Sequence, residues 1–135
     1  MDASVGAVLF ADLSGFDVLT HAYGDEAAAD AATRFAVLAR SSLAPEARLL
    51  KTLGDGVLIV APDLTSARAT AHCLRELVRR DPTHLPVRVG ICAGTVVWRD
   101  GDVFGATVNR AARLAAAAGK WEILEEEPAT VTAPA

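Results

Sequence analysis

The stretch Lys51-Thr52-Leu53-Gly54-Asp55-Gly56 constrains this chain most, because it lies between two runs that read as strands. Residues 48–53 and 57–61 flank Gly54-Asp55-Gly56, and an Asp-Gly pair suits a tight hairpin turn. An earlier, almost unbroken apolar run at residues 5–10 reads as a central strand covered on both faces. That run ends at Ala11-Asp12-Leu13-Ser14-Gly15-Phe16, so it too closes on a carboxylate. The chain must therefore build a sheet, and two acids stand at the ends of its strands.

The remaining elements follow from periodicity and stop signals. Residues 25–42 place Ala28, Ala31, Phe35 and Leu38 at helical spacing, with Pro45 beyond the end. Residues 65–80 carry the stripe Ala67, Ala71, Leu74 and Val78; Arg79 and Arg80 suit the last turn of a helix and Pro82 stops it. Residues 87–98 contain a strand, bent near Gly94 and leading to an Asp100-Gly101 turn, and a third helix runs from 105 or 106 to about 118. Residues 122–124 read as a short final strand and 125–135 as a frayed tail. The order β-α-β-β-α-β-α predicts an α+β fold, a ferredoxin-like split βαβ sheet with its helices on one face. The division is one domain at 1–119, followed by the short strand and tail at 120–135.

Composition narrows the class of function. With 135 residues, 52% hydrophobic, and mean hydropathy +0.30, the chain fits one α/β domain with an apolar core. No apolar run approaches the ~20 residues of a membrane span, and the N-terminus lacks a signal-peptide pattern, so a cytoplasmic protein is expected. A net charge of −4 and a pI near 5.3 argue against a surface that coats nucleic acid. Cys73 and Cys92 have no CxxC spacing and read as buried thiols; His21, His72 and His84 show no metal-ligand spacing. Of the 13 basic residues only Lys51 and Lys120 are lysines, which marks Lys51 as a compact single donor in a chain that otherwise uses arginine.

Several residues carry chemistry in one reading and plain structure in another. Asp12 can close an Asx-turn and Asp55 can serve only the hairpin. Brought together, the two carboxylates repel unless a hard cation such as Mg²⁺ lies between them. The backbone N–H groups from Leu13 to Phe16, with Gly15 in the turn, suit an anion-binding nest. Arg88 is either a polar strand-edge residue or a planar phosphate clamp. Asn109 and Arg113 stand four apart on one face of an otherwise small, apolar helix, where polar groups favour a site or an interface.

Four ordered motifs resemble the class III nucleotidyl cyclase homology domain, the catalytic module of adenylate and guanylate cyclases. They are Phe10-Ala11-Asp12-Leu13-Ser14-Gly15-Phe16, Lys51 to Gly56, Arg88-Val89-Gly90-Ile91, and Phe104-Gly105 through Arg113, within residues 5–119. By this resemblance Asp12 and Asp55 hold two Mg²⁺ or Mn²⁺ ions per site, with the Leu13 carbonyl as a further ligand. Ser14, Gly15 and Phe16 line the triphosphate, and Arg88 contacts it. Lys51 and Asp102 match the pair that reads adenine, and Asn109 and Arg113 match the residues acting on the ribose and the α-phosphate. The resemblance also implies a head-to-tail homodimer with shared sites that converts ATP to 3′,5′-cyclic AMP and pyrophosphate. Adenine offers an amino donor and a ring-nitrogen acceptor, which an Asp102 acceptor and a Lys51 donor complement; guanine presents the reverse pattern.

Three departures stand out. Asp17 occupies a position where the family usually has Thr or Ser. Pro45-Glu46-Ala47 replaces a common Gly-Gly. Only 22 residues follow Arg113, too few for the family's last β-hairpin and its phosphate-binding lysine, and Lys120 comes too soon to replace that lysine. Two other readings stay open: a guanylate cyclase, and a degenerate cyclase domain that binds nucleotide or dimerises as a regulatory module.

Overall fold

A computed structural model of the protein describes residues 3–82 and 85–126. Its elements are β1 (Ala3–Leu13), α1 (Phe16–Tyr23), α2 (Asp25–Ser41), β2 (Arg48–Leu53), β3 (Gly56–Ala61), α3 (Leu64–Arg80), β4 (Val87–Arg99), β5 (Asp102–Phe104), α4 (Ala106–Ala117) and β6 (Ile123–Glu126). β1 is the centre: Ala7, Val8 and Leu9 are fully buried, and both its edges are paired. It runs antiparallel to β3, with Asp12 opposite Gly56, and antiparallel to β4, with Asp12 opposite Arg88. The strand order is β2-β3-β1-β4-β5, and β6 runs parallel to the first half of β4.

Strand alternation divides the core into two layers. Leu9, Ile59 and Ile91 face one side, where Phe35 of α2 and Leu74 of α3 cover them. Val8, Leu58 and Cys92 face the other, under Val108 and Ala111 of α4. The expectation that all helices share one face is thus corrected: α4 lies opposite α2 and α3. Gly90 permits this close approach, since a Cβ there would sit 2.2 Å from the Ala115 nitrogen and 2.4 Å from the Ala111 oxygen.

Capping follows the local sequence. Asp63 caps α3 by accepting from the Ser66 N–H at 2.8 Å, and Asp25 and Glu26 suit the first turn of α2. Three elements differ from the sequence reading. Residues 16–23 form α1, where no helix was expected. Residues 102–104 pair with the end of β4 as β5. β6 extends to Glu126, where Glu125 takes Arg68 at 2.8 and 2.9 Å and Glu126 takes Arg110. The tail expected beyond it, from 127, and His84 lie outside the described residues. Cys92 is buried as expected, but Cys73 is exposed on α3. No described helix is long and apolar enough to cross a membrane.

The Gly90 contact generates a stability prediction. Gly90→Ala should lower unfolding free energy by about 1–3 kcal/mol, because backbone and not a flexible side chain meets the new methyl. Gly119→Ala, whose nearest neighbour would be a Glu122 carboxylate oxygen at 3.7 Å, should stay within about 0.5 kcal/mol. Urea denaturation followed by circular dichroism measures both.

Candidate active site

The site begins where β1 runs out between its two neighbours. The Leu13 N–H donates to the Asp55 carbonyl at 3.3 Å, and the Ser14 N–H donates to the Pro86 carbonyl at 2.7 Å. These bonds tie the end of β1 to the β2–β3 turn on one side and to the start of β4 on the other. The turn is closed by the Leu53–Gly56 pair, and Gly54 supplies its left-handed residue at φ 64°. Gly56 also leaves room for Asp12: a Cβ there would sit 3.2 Å from the Ala11 oxygen and 3.5 Å from the Asp12 Cβ.

Two clefts meet at Asp55. One, of about 280 Å³, is lined by Leu13, Ser14, Gly15, Phe16, Asp55 and Arg88, with Asp17 and Val18 beside them. The other, of about 200 Å³, takes in Asp12, Asp55, Leu53 and the small residues Ala112 and Ala115 of α4. Burial pushes the Asp55 carboxyl above the ordinary range, and the negative charges of Asp12 and Asp17 push it further the same way. Asp12 instead forms a two-point ion pair with Arg88: Nε to Oδ1 at 2.9 Å and Nη2 to Oδ2 at 3.1 Å. The Arg88 Nη1 also donates to the Ala116 carbonyl at 3.4 Å.

This donor set suits a small hard cation. Mg²⁺ is usually held by one or two carboxylates together with substrate phosphates, not by an all-protein cage. Among the described residues no group of three or more His, Cys, Asp or Glu could hold a metal, so phosphate oxygens would have to complete the shell around Asp12 and Asp55. The excess of acids around Asp55 is the observation that fits a cation.

Lys51 and Asp102 form a separate pair, Nζ to Oδ2 at 2.9 Å, and the Val103 N–H donates to the other Asp102 oxygen at 2.8 Å. The Lys51 hydrogen bond, then that N–H, hold the Asp102 carboxyl below the ordinary range. β2 and β5 are the two ends of the strand order, which a flat sheet would keep roughly 19 Å apart. The end of β4 with β5 therefore curls over the α4 face, where Arg48 also lies 4.9 Å over the Trp98 ring. Asn109 and Arg113 lie exposed on α4, and no hydrogen bond or ion pair joins their side chains to the other site residues. The chain thus gathers Asp12, Asp55, Arg88 and the Leu13–Phe16 turn, pairs Lys51 with Asp102, and leaves Asn109 and Arg113 facing outward.

Two features escaped the sequence reading. Arg88 bonds Asp12, which only the β1–β4 register reveals. Lys120 lines a cleft of about 300 Å³ with Ser14 and Gly15, although its spacing from Arg113 is too short for the family's phosphate-binding lysine. The turn from Gly119 to Glu122, tied to β4 by the Trp121 N–H to the Val87 carbonyl at 2.8 Å, puts it there.

No protein-family model matches the chain. It is 45% identical over 118 residues to an adenylate cyclase of Streptomyces griseus, covering 87% of this chain and 30% of that protein. It is 38% identical over 117 residues to a pH-sensitive adenylate cyclase of Mycobacterium tuberculosis, again covering 87% of this chain and 30% of the other. The chain thus spans less than a third of the length of these curated relatives. A solved monomeric guanylyl cyclase domain of the RhoGC fusion protein from Blastocladiella emersonii superposes with a TM-score of 0.80 at 20% identity, covering 91% of this chain and 82% of that one; the likeness is one of fold. A solved adenylate/guanylate cyclase/hydrolase from Silicibacter pomeroyi gives a TM-score of 0.70 at 28% identity, covering 91% and 75%. With this fold and these relatives, the chain belongs to the class III nucleotidyl cyclase homology domains.

Proposed function

We propose that the protein is an adenylate cyclase that converts ATP to 3′,5′-cyclic AMP and pyrophosphate in sites shared across a head-to-tail homodimer. The observation that carries this reading is the division of the expected residues. Asp12, Asp55 and Arg88 lie around one cleft, while Asn109 and Arg113 on α4 bond to none of them. A second copy placed head to tail supplies what each cleft lacks, and by symmetry the same contact completes both sites.

In this reading Asp12, Asp55 and the Leu13 carbonyl hold the Mg²⁺ or Mn²⁺ ions. When bound, such ions lower the pKa of the attacking hydroxyl and neutralise charge on the triphosphate. Ser14, Gly15 and Phe16 present backbone N–H groups to the phosphates. Lys51 and Asp102 exchange their mutual bond for the edge of adenine, Lys51 donating and Asp102 accepting. Asn109 orients the ribose, and Arg113 faces the charge that develops on the α-phosphate. Positioning and charge stabilisation then supply most of the rate, since phosphoryl chemistry needs little covalent help.

Asp55 links function to stability. Its folded carboxyl is raised above the unfolded value, so the folded state holds the proton more tightly there. The penalty of ionising it is absent below the ordinary carboxylate range and grows as pH rises through the raised value. Asp55→Asn should therefore abolish cyclase activity yet raise the melting temperature of metal-free protein at pH 7. Asp12→Ala should also fall below about a tenth of the wild-type rate. Calorimetry and a cyclic AMP assay with Mn²⁺ test the two halves; an active Asp55→Asn enzyme overturns the metal assignment.

Base choice depends on the 2.9 Å pair. Lys51→Glu with Asp102→Cys should lower the ratio of kcat/KM for ATP over GTP by about tenfold or more, since each mismatched group costs ~1–3 kcal/mol once covered. An unchanged ratio shows that these residues do not touch the base.

The shared site predicts complementation in trans. Asp12→Ala and Arg113→Ala should each be nearly inactive as homodimers, whereas mixed dimers place both lesions in one site and leave the other intact. With equal amounts and random exchange, recovery should approach about a quarter of wild-type activity. Lack of recovery despite demonstrated exchange points to a site within one chain.

A further inference from the structure

The two carboxylates of the cleft differ in their surroundings. Both Asp12 oxygens are engaged by one guanidinium, at 2.9 and 3.1 Å, while the Asp55 side chain has no cationic partner within ion-pair distance among the described residues. Asp12 and Arg88 are direct cross-strand neighbours in the β1–β4 ladder, so backbone pairing itself holds them together. Each side chain is only about 30% exposed (28% for Asp12, 30% for Arg88), and the Ala116 carbonyl anchors a third N–H of the arginine. A divalent ion on Asp12 would then have a fixed positive charge within a few ångströms.

We propose that Arg88 competes with the divalent metal for Asp12 and is drawn off by the phosphates of the nucleotide, so that metal and triphosphate bind with positive coupling. Each ligand takes one member of the ion pair: the metal replaces the guanidinium on Asp12, and a phosphate replaces the carboxylate on Arg88. Each event pays for breaking the pair only if it comes first. A coupling of this kind is reciprocal by necessity. It also keeps Asp12 neutralised when no nucleotide is present, which Asp55 is not. The inference rests on the cyclase reading of the cleft, but it predicts a sign that the reading alone does not: removing a positive charge that binds substrate should improve metal binding.

The test is Mn²⁺ binding to nucleotide-free protein, read by electron paramagnetic resonance, for wild type, Arg88→Met, Arg88→Gln and Asp55→Asn. Arg88→Met should bind Mn²⁺ about tenfold more tightly than wild type, the scale of a partly sheltered two-point ion pair. The same variant should bind metal-free inorganic tripolyphosphate about tenfold or more weakly by calorimetry. Arg88→Gln keeps hydrogen-bonding capacity without the charge and should change both affinities in the same directions, which serves if the Met variant does not fold. Mn²⁺ affinity in a folded Arg88 variant equal to or below wild type, with binding still lost in Asp55→Asn, overturns the exchange and leaves the metal site standing. Mn²⁺ binding indifferent to Asp55→Asn overturns the metal site, and the exchange with it.

Discussion

The register of β1 governs the site. Because β1 pairs with β3 on one edge and β4 on the other, Asp12 has Gly56 on one side and Arg88 on the other. A slip of one residue would turn every β1 side chain to the opposite face and carry Asp12 out of the cleft. The fully buried Ala7, Val8 and Leu9 prevent that slip, since each contributes to one of the two cores. The same hydrophobic contacts that hold the sheet together therefore aim the carboxylate.

Around that point the domain concentrates negative charge. Asp12, Asp17 and Asp55 face connected clefts, and burial, then the charges of Asp12 and Asp17, push the Asp55 carboxyl above the ordinary range. Holding acids together in this way costs stability, as functional sites commonly do. Arg88 offsets part of the cost by occupying Asp12, and its Nη1 bond to the last turn of α4 ties the cleft to the helix carrying Asn109 and Arg113.

Glycines set how closely the layers meet. At Gly90 the backbone of α4 presses on β4, which brings Ala112 and Ala115 to the wall of the cleft. At Gly94 an added Cβ would sit 2.6 Å from the Thr107 hydroxyl, so the start of α4 is seated as tightly. With α4 so placed, the end of β4 and β5 pass over the same face and deliver Asp102 to Lys51. The proposed base-reading pair thus depends on packing at residues that never touch it.

Much of this was legible in the chain itself. The apolar run of β1, the Gly-Asp turn of the β2–β3 hairpin, and the stripes of α2 and α3 determine their elements because strand and helix periods are local properties. The motifs containing Asp12, Asp55 and Lys51 could be read for the same reason. What joins distant segments was not legible. The motif resemblance already paired Lys51 with Asp102, and the curl of β4 and β5 makes that contact; the tertiary structure alone put α4 on the second face, brought Lys120 beside Ser14 and Gly15, and set Arg88 on Asp12. Each of these rests on strand register and layer packing, which are set by long-range contacts that no local pattern encodes.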